Sequence, residues 1–358
     1  MTGDPPTETD PLARSRTRLN TGSITLADVA RAAKVSPATV SRVVNASPKV
    51  RPEVRAAVQD AITRLGYVPN RAARSLAARR SGSVGVVVLE STQQFFGDPF
   101  FGQLLLGIAN GLSEDETQLI LMIGRDVADR RRIERYLEGG HVDGVILLGP
   151  QDDDPLPASL TARAMPLVVS GPPPAGVMVD SVDADNRMGG RLATQHLVDA
   201  GRRRIATIHG RLSLGSGRDR LTGYREALAV AGLPQDAELE VDGGFDPAIA
   251  ATATATLLDR CPDLDAIFAA SDTMAAAALR VLEETGRQVP RDVSLVGFDD
   301  SPVAVGSRPA LTTVRQPIEA LGRELVRQLA RRLESPDGPP SSVVFGIELV
   351  VRESSIPA

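Results

Sequence analysis

Three short apolar stripes between residues 25 and 66, cut apart by turn chemistry, leave few folds open to the start of this chain. Thr25-Leu26-Ala27-Asp28 sets a hydroxyl three residues before a carboxylate, the pattern of a capping box at a helix start. Leu26, Val29, Ala30 and Ala33 then recur at i, i+3, i+4 and i+7, one face of a helix. Lys34-Val35-Ser36 breaks the stripe. Ser36 offers an N-cap oxygen, and Pro37 takes the first helical position, where its missing N–H costs nothing. Val40, Val43 and Val44 continue the buried face. A third stripe, Val54, Val58, Ile62 and Leu65, follows Arg51-Pro52 and ends at Gly66. Two short helices on a three-residue turn predict a helix-turn-helix, whose second helix reads DNA. The outward positions of that helix are Ala38, Thr39, Ser41, Arg42 and Asn45. All are small or hydrogen-bonding, as a surface approaching base edges requires; a bundle without a nucleic-acid role needs no compact, polar, basic face there.

Charge divides the chain at the same place. Residues 21–80 hold eleven Lys and Arg against Asp28, Glu53 and Asp60, a net +8. Residues 1–20 carry three charges of each sign, so a chain of net charge −5 leaves −13 on residues 81–358. A cationic head on an anionic body implies that the head alone meets a polyanion. Residues 1–22, with Pro5, Pro6 and scattered charges, read as a disordered tail without the apolar core of a signal peptide.

From Ser83 the pattern becomes strand alternating with helix. Val84–Leu89, Gln118–Ile123, Gly144–Leu148, Leu167–Ser170, Ile205–His209, Ala266–Ala270 and Val293–Phe298 are short apolar runs bounded by Gly, Pro, Asp or Ser. Amphipathic stretches lie between them, which predicts parallel sheets with right-handed crossovers. The strands are too many for one such domain. The expected body is therefore two doubly wound α/β lobes, with a crossing at Asp180–Asp185 and the Gln316–Arg332 helix returning to the first. The expected boundaries are a head over 23–69, a hinge over 70–80, lobe one over about 83–181 plus 314–338, and lobe two over about 182–313 plus 339–358. In open α/β sheets ligands bind beyond the carboxyl ends of the strands. Asp98-Pro99-Phe100-Phe101, Ser170, Arg220, Asp272 and Asp299 follow predicted strands and are the candidate ligand residues, although Asp272 also suits a cap on the Met274 helix.

"TLADVARAAKVSPATVSRVVN" and "VRPEVRAAVQDAITRLGYVPNRAARSLAARRSGSVGVVV" resemble the lactose/galactose repressor family of bacterial regulators, densely over residues 24–88 and sparsely beyond. The resemblance implies a reading helix in the major groove and a hinge helix that wedges a leucine into the minor groove. By position, Thr25, Pro37, Ala38, Thr39, Ser41, Arg42 and Asn45 would face DNA, and Asn70, Ala73, Arg74 and Leu76 would form the hinge contact. Residues 70–78 are good helix formers but too few to hold a helix alone, so they are expected to fold on DNA. In the body the family resembles periplasmic sugar-binding proteins. The resemblance gives ligand roles to Arg220 in "RLTGY" and Asp299 in "GFDD", and to aromatics at Phe101 and near Phe245 in "GGFDP". The implied partners are near-palindromic operator DNA and a small effector, most simply a sugar, with a homodimer as the assembly.

Competing classes lack their marks. Gly210–Gly217 is Gly-rich but has no G-K-[ST] ending, and no G-x-S-x-G is present. His141, His196 and His209 have no metal spacing, and Cys261 stands alone, so no catalytic residue, metal or cofactor is expected. No apolar run approaches the roughly 18 residues of a membrane span. A sugar-binding protein of the periplasm would share the body but not the head. The reading is a cytoplasmic, nucleoid-associated regulator of transcription, most simply a repressor.

Overall fold

The computed structural model describes residues 24–44, 47–67, 81–113 and 117–355. They fall into two compact units that divide between residues 80 and 81. In the first, α1 (Leu26–Ala32), α2 (Pro37–Val44) and α3 (Pro52–Leu65) form on the three apolar stripes. The capping box closes: the Thr25 hydroxyl accepts from the Asp28 N–H at 3.3 Å, and the Thr25 N–H donates to Asp28 Oδ2 at 3.0 Å. Lys34 turns the chain with φ 55°, and the next amide, Val35 N–H, donates to Ala30 at 3.0 Å. Ser36 Oγ caps α2 through the Thr39 N–H at 3.2 Å. Val29, Ala30, Val40, Val43, Val58, Ala61 and Tyr67 are buried together and form the unit's core.

The second unit opens with β1 (Ser83–Val88), α4 (Thr92–Gly97), α5 (Pro99–Leu112), β2 (Gln118–Ile123), α6 (Val127–Glu138), β3 (Gly144–Leu148), α7 (Pro155–Ala162), β4 (Leu167–Ser170) and β5 (Asp180–Ala184). It continues with α8 (Asn186–Asp199), β6 (Ile205–His209), α9 (Gly215–Val230), β7 (Glu240–Asp242), α10 (Pro247–Arg260), β8 (Ala266–Ala269), α11 (Asp272–Glu284), β9 (Ser294–Asp299), α12 (Pro302–Gly306) and β10 (Thr312–Arg315). It ends with α13 (Ile318–Glu334), β11 (Ser342–Phe345) and β12 (Glu348–Val350).

Two six-stranded sheets result, ordered β11-β5-β4-β3-β1-β2 and β12-β10-β9-β8-β6-β7. Every pairing is parallel except the antiparallel edge pair β10–β12. Strands covered on both faces must be apolar at successive positions. Accordingly Val86, Val88, Ile146 and Leu148 pack under α5 and α13, whereas Val87, Val145 and Leu147 pack on the other face with Ile133, Leu137, Leu156 and Leu160. The second sheet is covered in the same way, by α10 and α11 on one face and by α8 and α9 on the other. Each such Leu, Ile or Val contributes about 1.5–3 kcal/mol on burial.

The chain crosses between the sheets three times, near Asp185, Gln316 and Gly346, and the lobe boundaries move from those expected. β5 stays in the first sheet through Ala184, beyond the expected end at 181. β10, to Arg315, belongs to the second sheet rather than the first. β11 pairs with β5 in the first sheet, which takes residues 342–345 out of the second lobe expected over 339–358. Short strands of three to five residues with mixed polarity, at or next to the sheet edges, carry too little periodicity to be placed from sequence.

Candidate DNA-reading head and ligand cleft

On α2, Pro37, Ala38 and Arg42 are exposed, and Thr39 and Ser41 are half-buried. They are the face left over once Val40 and Val43 turn into the core. Thr39 is fixed by its contact with Ser36, 2.9 Å between hydroxyl oxygens. Thr25 spends its hydroxyl inside the capping box, donating to Asp28 Oδ2 at 2.6 Å. Asn45, Asn70, Ala73, Arg74 and Leu76 lie outside the described residues.

Within the second unit, a cavity lies between the two lobes at the carboxyl ends of the strands, where open α/β sheets place their ligands. Of the expected residues, Phe100, Phe101, Ser170, Arg220, Phe245 and Asp299 all line it. Asp272 does not. Its carboxylate is fully buried, accepting from the Thr313 hydroxyl at 2.6 Å and the Ser301 N–H at 2.7 Å, so it ties α11 to the second sheet. Burial pushes its carboxyl up to about 6, against those hydrogen bonds. Nor is it the cap of α11: Ser271 is, through the Met274 N–H at 3.3 Å.

Arg220 is the centre of the site and is 5% exposed. Its Nε donates to Asn186 Oδ1 at 2.8 Å and its Nη1 to the Ala270 carbonyl at 2.5 Å, with Asp299 3.9 Å away. The guanidinium lies 3.6 Å from the centre of the Phe298 ring and 5.6 Å from that of Phe245, so aromatic faces help to hold the charge. Close helix packing sets its height: a Cβ at Gly190 on α8 would come within 2.1 Å of the Arg220 carbonyl on α9. Asp299 accepts from Gln316 Nε2 at 2.6 Å. Burial pushes its carboxyl well above the usual range; Arg220 opposes that rise, and Asp98 and Asp272 add to it.

Strain gathers here. Phe245, Asp299 and Asp300 have φ of 56°, 110° and 54°, a region side chains enter at a cost. Asp300 is held by Arg315 Nε and Arg352 Nη2, each at 2.5 Å, which outweigh its burial and keep its carboxyl below the usual value. The Phe245 ring rests on Gly210, where a Cβ would lie 2.0 Å from a ring atom. Contacts also cross the cleft. Glu90 of the first lobe pairs with Arg211 of the second, Asp152 pairs with Arg218, and Gln94 Nε2 donates to the Phe245 carbonyl at 3.2 Å.

Sequence reasoning missed Glu90, Gln94, Asp183, Asn186, Arg211, Ser216 and Gln316, all of which line the cavity. The strand-end rule reaches Glu90, Arg211 and Gln316 once β1, β6 and β10 are placed. Asp183 lies in β5, inside the crossing expected at Asp180–Asp185. Among the described residues no group of three or more His, Cys, Asp or Glu is placed to hold a metal, and no helix is long and apolar enough to cross a membrane.

A helix-turn-helix head and a two-lobed body with a polar, aromatic-lined cleft define a ligand-responsive DNA-binding regulator. Residues 25–70 match the family of bacterial regulatory proteins of the lacI type, and residues 194–355 match a periplasmic binding protein-like domain. The HTH-type transcriptional regulator CelR of Thermobifida fusca is 48% identical over 333 residues, spanning 92% of this chain and 98% of that protein. A solved CelR–cellobiose complex superposes with TM-score 0.75 at 47% identity, covering 92% of this chain and 99% of that one. A lac repressor dimer bound to operator and an anti-inducer gives 0.83 at 27% identity, covering 94% and 100%. The chain belongs to the lacI family of bacterial regulatory proteins, and is a transcription regulator rather than an enzyme.

Proposed function

We propose that this protein is a repressor acting in the cytoplasm, on the nucleoid, that its α2 helix reads an operator, and that a sugar in the inter-lobe cleft controls operator affinity. The observation that carries this is the cleft itself. Arg220 and Asp299 are nearly inaccessible yet line the cavity between the lobes, together with Phe101 and Phe245. Guanidinium, carboxylate and ring faces together suit a ligand with many hydroxyls. The CelR–cellobiose complex makes cellobiose the first ligand to try.

In this reading Thr25, Pro37, Ala38, Thr39, Ser41, Arg42 and Asn45 face the major groove, and Asn70, Ala73, Arg74 and Leu76 serve the minor-groove hinge. A two-fold dimer through the body presents two heads to a near-palindromic site; the similar lac repressor was solved as a dimer bound to operator. Closure of the lobes on a ligand changes the separation of the two hinges; only a ligand that favours one arrangement over the other changes DNA affinity. Fluorescence anisotropy on DNA from the promoter upstream of the gene tests it. Cellobiose should change the operator Kd by about 5–150-fold, the usual size of such coupling. A Kd unmoved by any of a panel of neutral sugars would overturn the reading.

A further inference from the structure

The charges lining the cleft do not balance. Glu90 is matched by Arg211, and Asp299 by Arg220. Asp98 and Asp183 line the same cavity and have no cation within salt-bridge distance among the described residues. Each spends one oxygen locally. Asp98 Oδ1 caps α5 by accepting the Phe100 N–H at 3.0 Å, and Asp183 Oδ1 accepts the Ala184 N–H at 2.8 Å and Asn186 Nδ2 at 2.9 Å. Neither second oxygen has a hydrogen-bond partner among the described residues, and neither is sealed from solvent. The positive side is already committed: two of the three Arg220 nitrogens bond Asn186 and Ala270, and Arg211 is engaged by Glu90.

We propose that Asp98 and Asp183 make the cleft selective by charge, admitting uncharged or amine-bearing polyols and rejecting phosphorylated ones. This rests on the reading of the cleft as the effector site. The two free carboxylate oxygens are strong acceptors for sugar hydroxyls. A phosphate brought beside them meets two like charges at short range, or must bring protons with it; both weaken its binding. Burial already pushes both carboxyls up, that of Asp183 to about 7, with Arg220 opposing and Asp219 adding to the rise.

The test is calorimetry on the full-length protein at pH 8 with matched pairs: glucose and glucose 6-phosphate, cellobiose and its 6-phosphate, ribose and ribose 5-phosphate. For whichever pair binds, the neutral member should bind at least about 100-fold more tightly, since like-charge juxtaposition costs several kcal/mol and each 1.4 kcal/mol is tenfold. The Asp98→Asn, Asp183→Asn double variant keeps the α5 cap, since Asn also caps. It should narrow that ratio at least about tenfold, with circular dichroism reporting that it folds. A phosphorylated sugar that binds as tightly as its neutral partner overturns the proposal but leaves the sugar-controlled reading standing. So does a folded double variant with an unchanged ratio. If neither member of any pair binds, the sugar-controlled reading falls and takes this proposal with it.

Discussion

Arg220 shows how much one side chain can carry when its surroundings are built for its shape. Its planar fork reaches Asn186 and Ala270 in two directions while its face lies on Phe298. A lysine has neither the fork nor the flat face. Arg220→Lys is expected to weaken effector binding by about 10-fold or more, the worth of one hydrogen bond to a charged group, read by calorimetry. An unchanged affinity would mean that the ligand rests elsewhere in the cavity. Asp183 makes a prediction about pH. Its folded-state value of about 7 lies above the 3.8 of a free carboxyl, so between those values the folded protein binds the extra proton. Stability from this group is therefore present at low pH and lost as pH rises through 7. Asp183→Asn removes that loss. The variant's Tm should gain on the wild type between pH 5 and pH 8, by a few degrees (~2–4 °C per kcal/mol in a domain of this size). A Tm difference flat across that range would show that Asp183 is ionised throughout.

At the scale of elements, what the sequence made legible depended on how strongly each segment was patterned. The head was readable to within a residue because each of its signals, the Thr25–Asp28 box, Ser36-Pro37 and Gly66, is local and chemical. The central strands were readable because burial on both faces demands unbroken Val, Ile and Leu. β5, β10, β11 and β12 were not. They hold three to five residues, polar ones among them, and are strands only because a neighbour supplies the ladder. The cleft followed suit: Arg220 and Asp299 stand at the ends of legible elements, whereas Asp183 sits in β5 and Asp272 turns out to brace α11. The α2 face carries the element-scale prediction. Thr39→Ala and Arg42→Ala should each weaken operator binding by about 1–3 kcal/mol, the worth of a base-edge contact, in an anisotropy titration at fixed salt. Both residues flank the buried Val40 and Val43 without joining the core, and Thr39→Ala keeps the Ser36 cap on its own N–H, so the head should stay folded. Unchanged operator affinity in both would place the reading surface on another helix.

The whole body turns on its three crossings, because two sheets joined by three short segments can hinge as rigid lobes. Across the cleft they are held by the Glu90–Arg211 and Asp152–Arg218 pairs, the Gln94–Phe245 bond, and a short backbone bridge at Gln151–Leu214 where the Asp152 N–H donates to the Ser213 carbonyl at 3.0 Å. Of the two ion pairs the first is the stronger, since the Glu90 carboxylate is 8% exposed, while both members of the second are open to water and contribute little. Glu90→Gln with Asp152→Asn should therefore shift the ligand-free protein toward an open arrangement. Small-angle scattering should report a larger radius of gyration for the variant alone, returning to the wild-type value at saturating effector. Effector affinity should fall by the fraction of closed molecules lost. Linkage then fixes a sign that needs no knowledge of whether the effector releases or retains operator. With the effector favouring closure, as proposed, and the variant favouring opening, their effects on operator affinity must be opposite. If the effector weakens operator binding, the ligand-free variant should bind operator more tightly than wild type, and the reverse holds for an effector that strengthens it. Effects in the same direction would mean that lobe closure is not the motion that links cleft to operator.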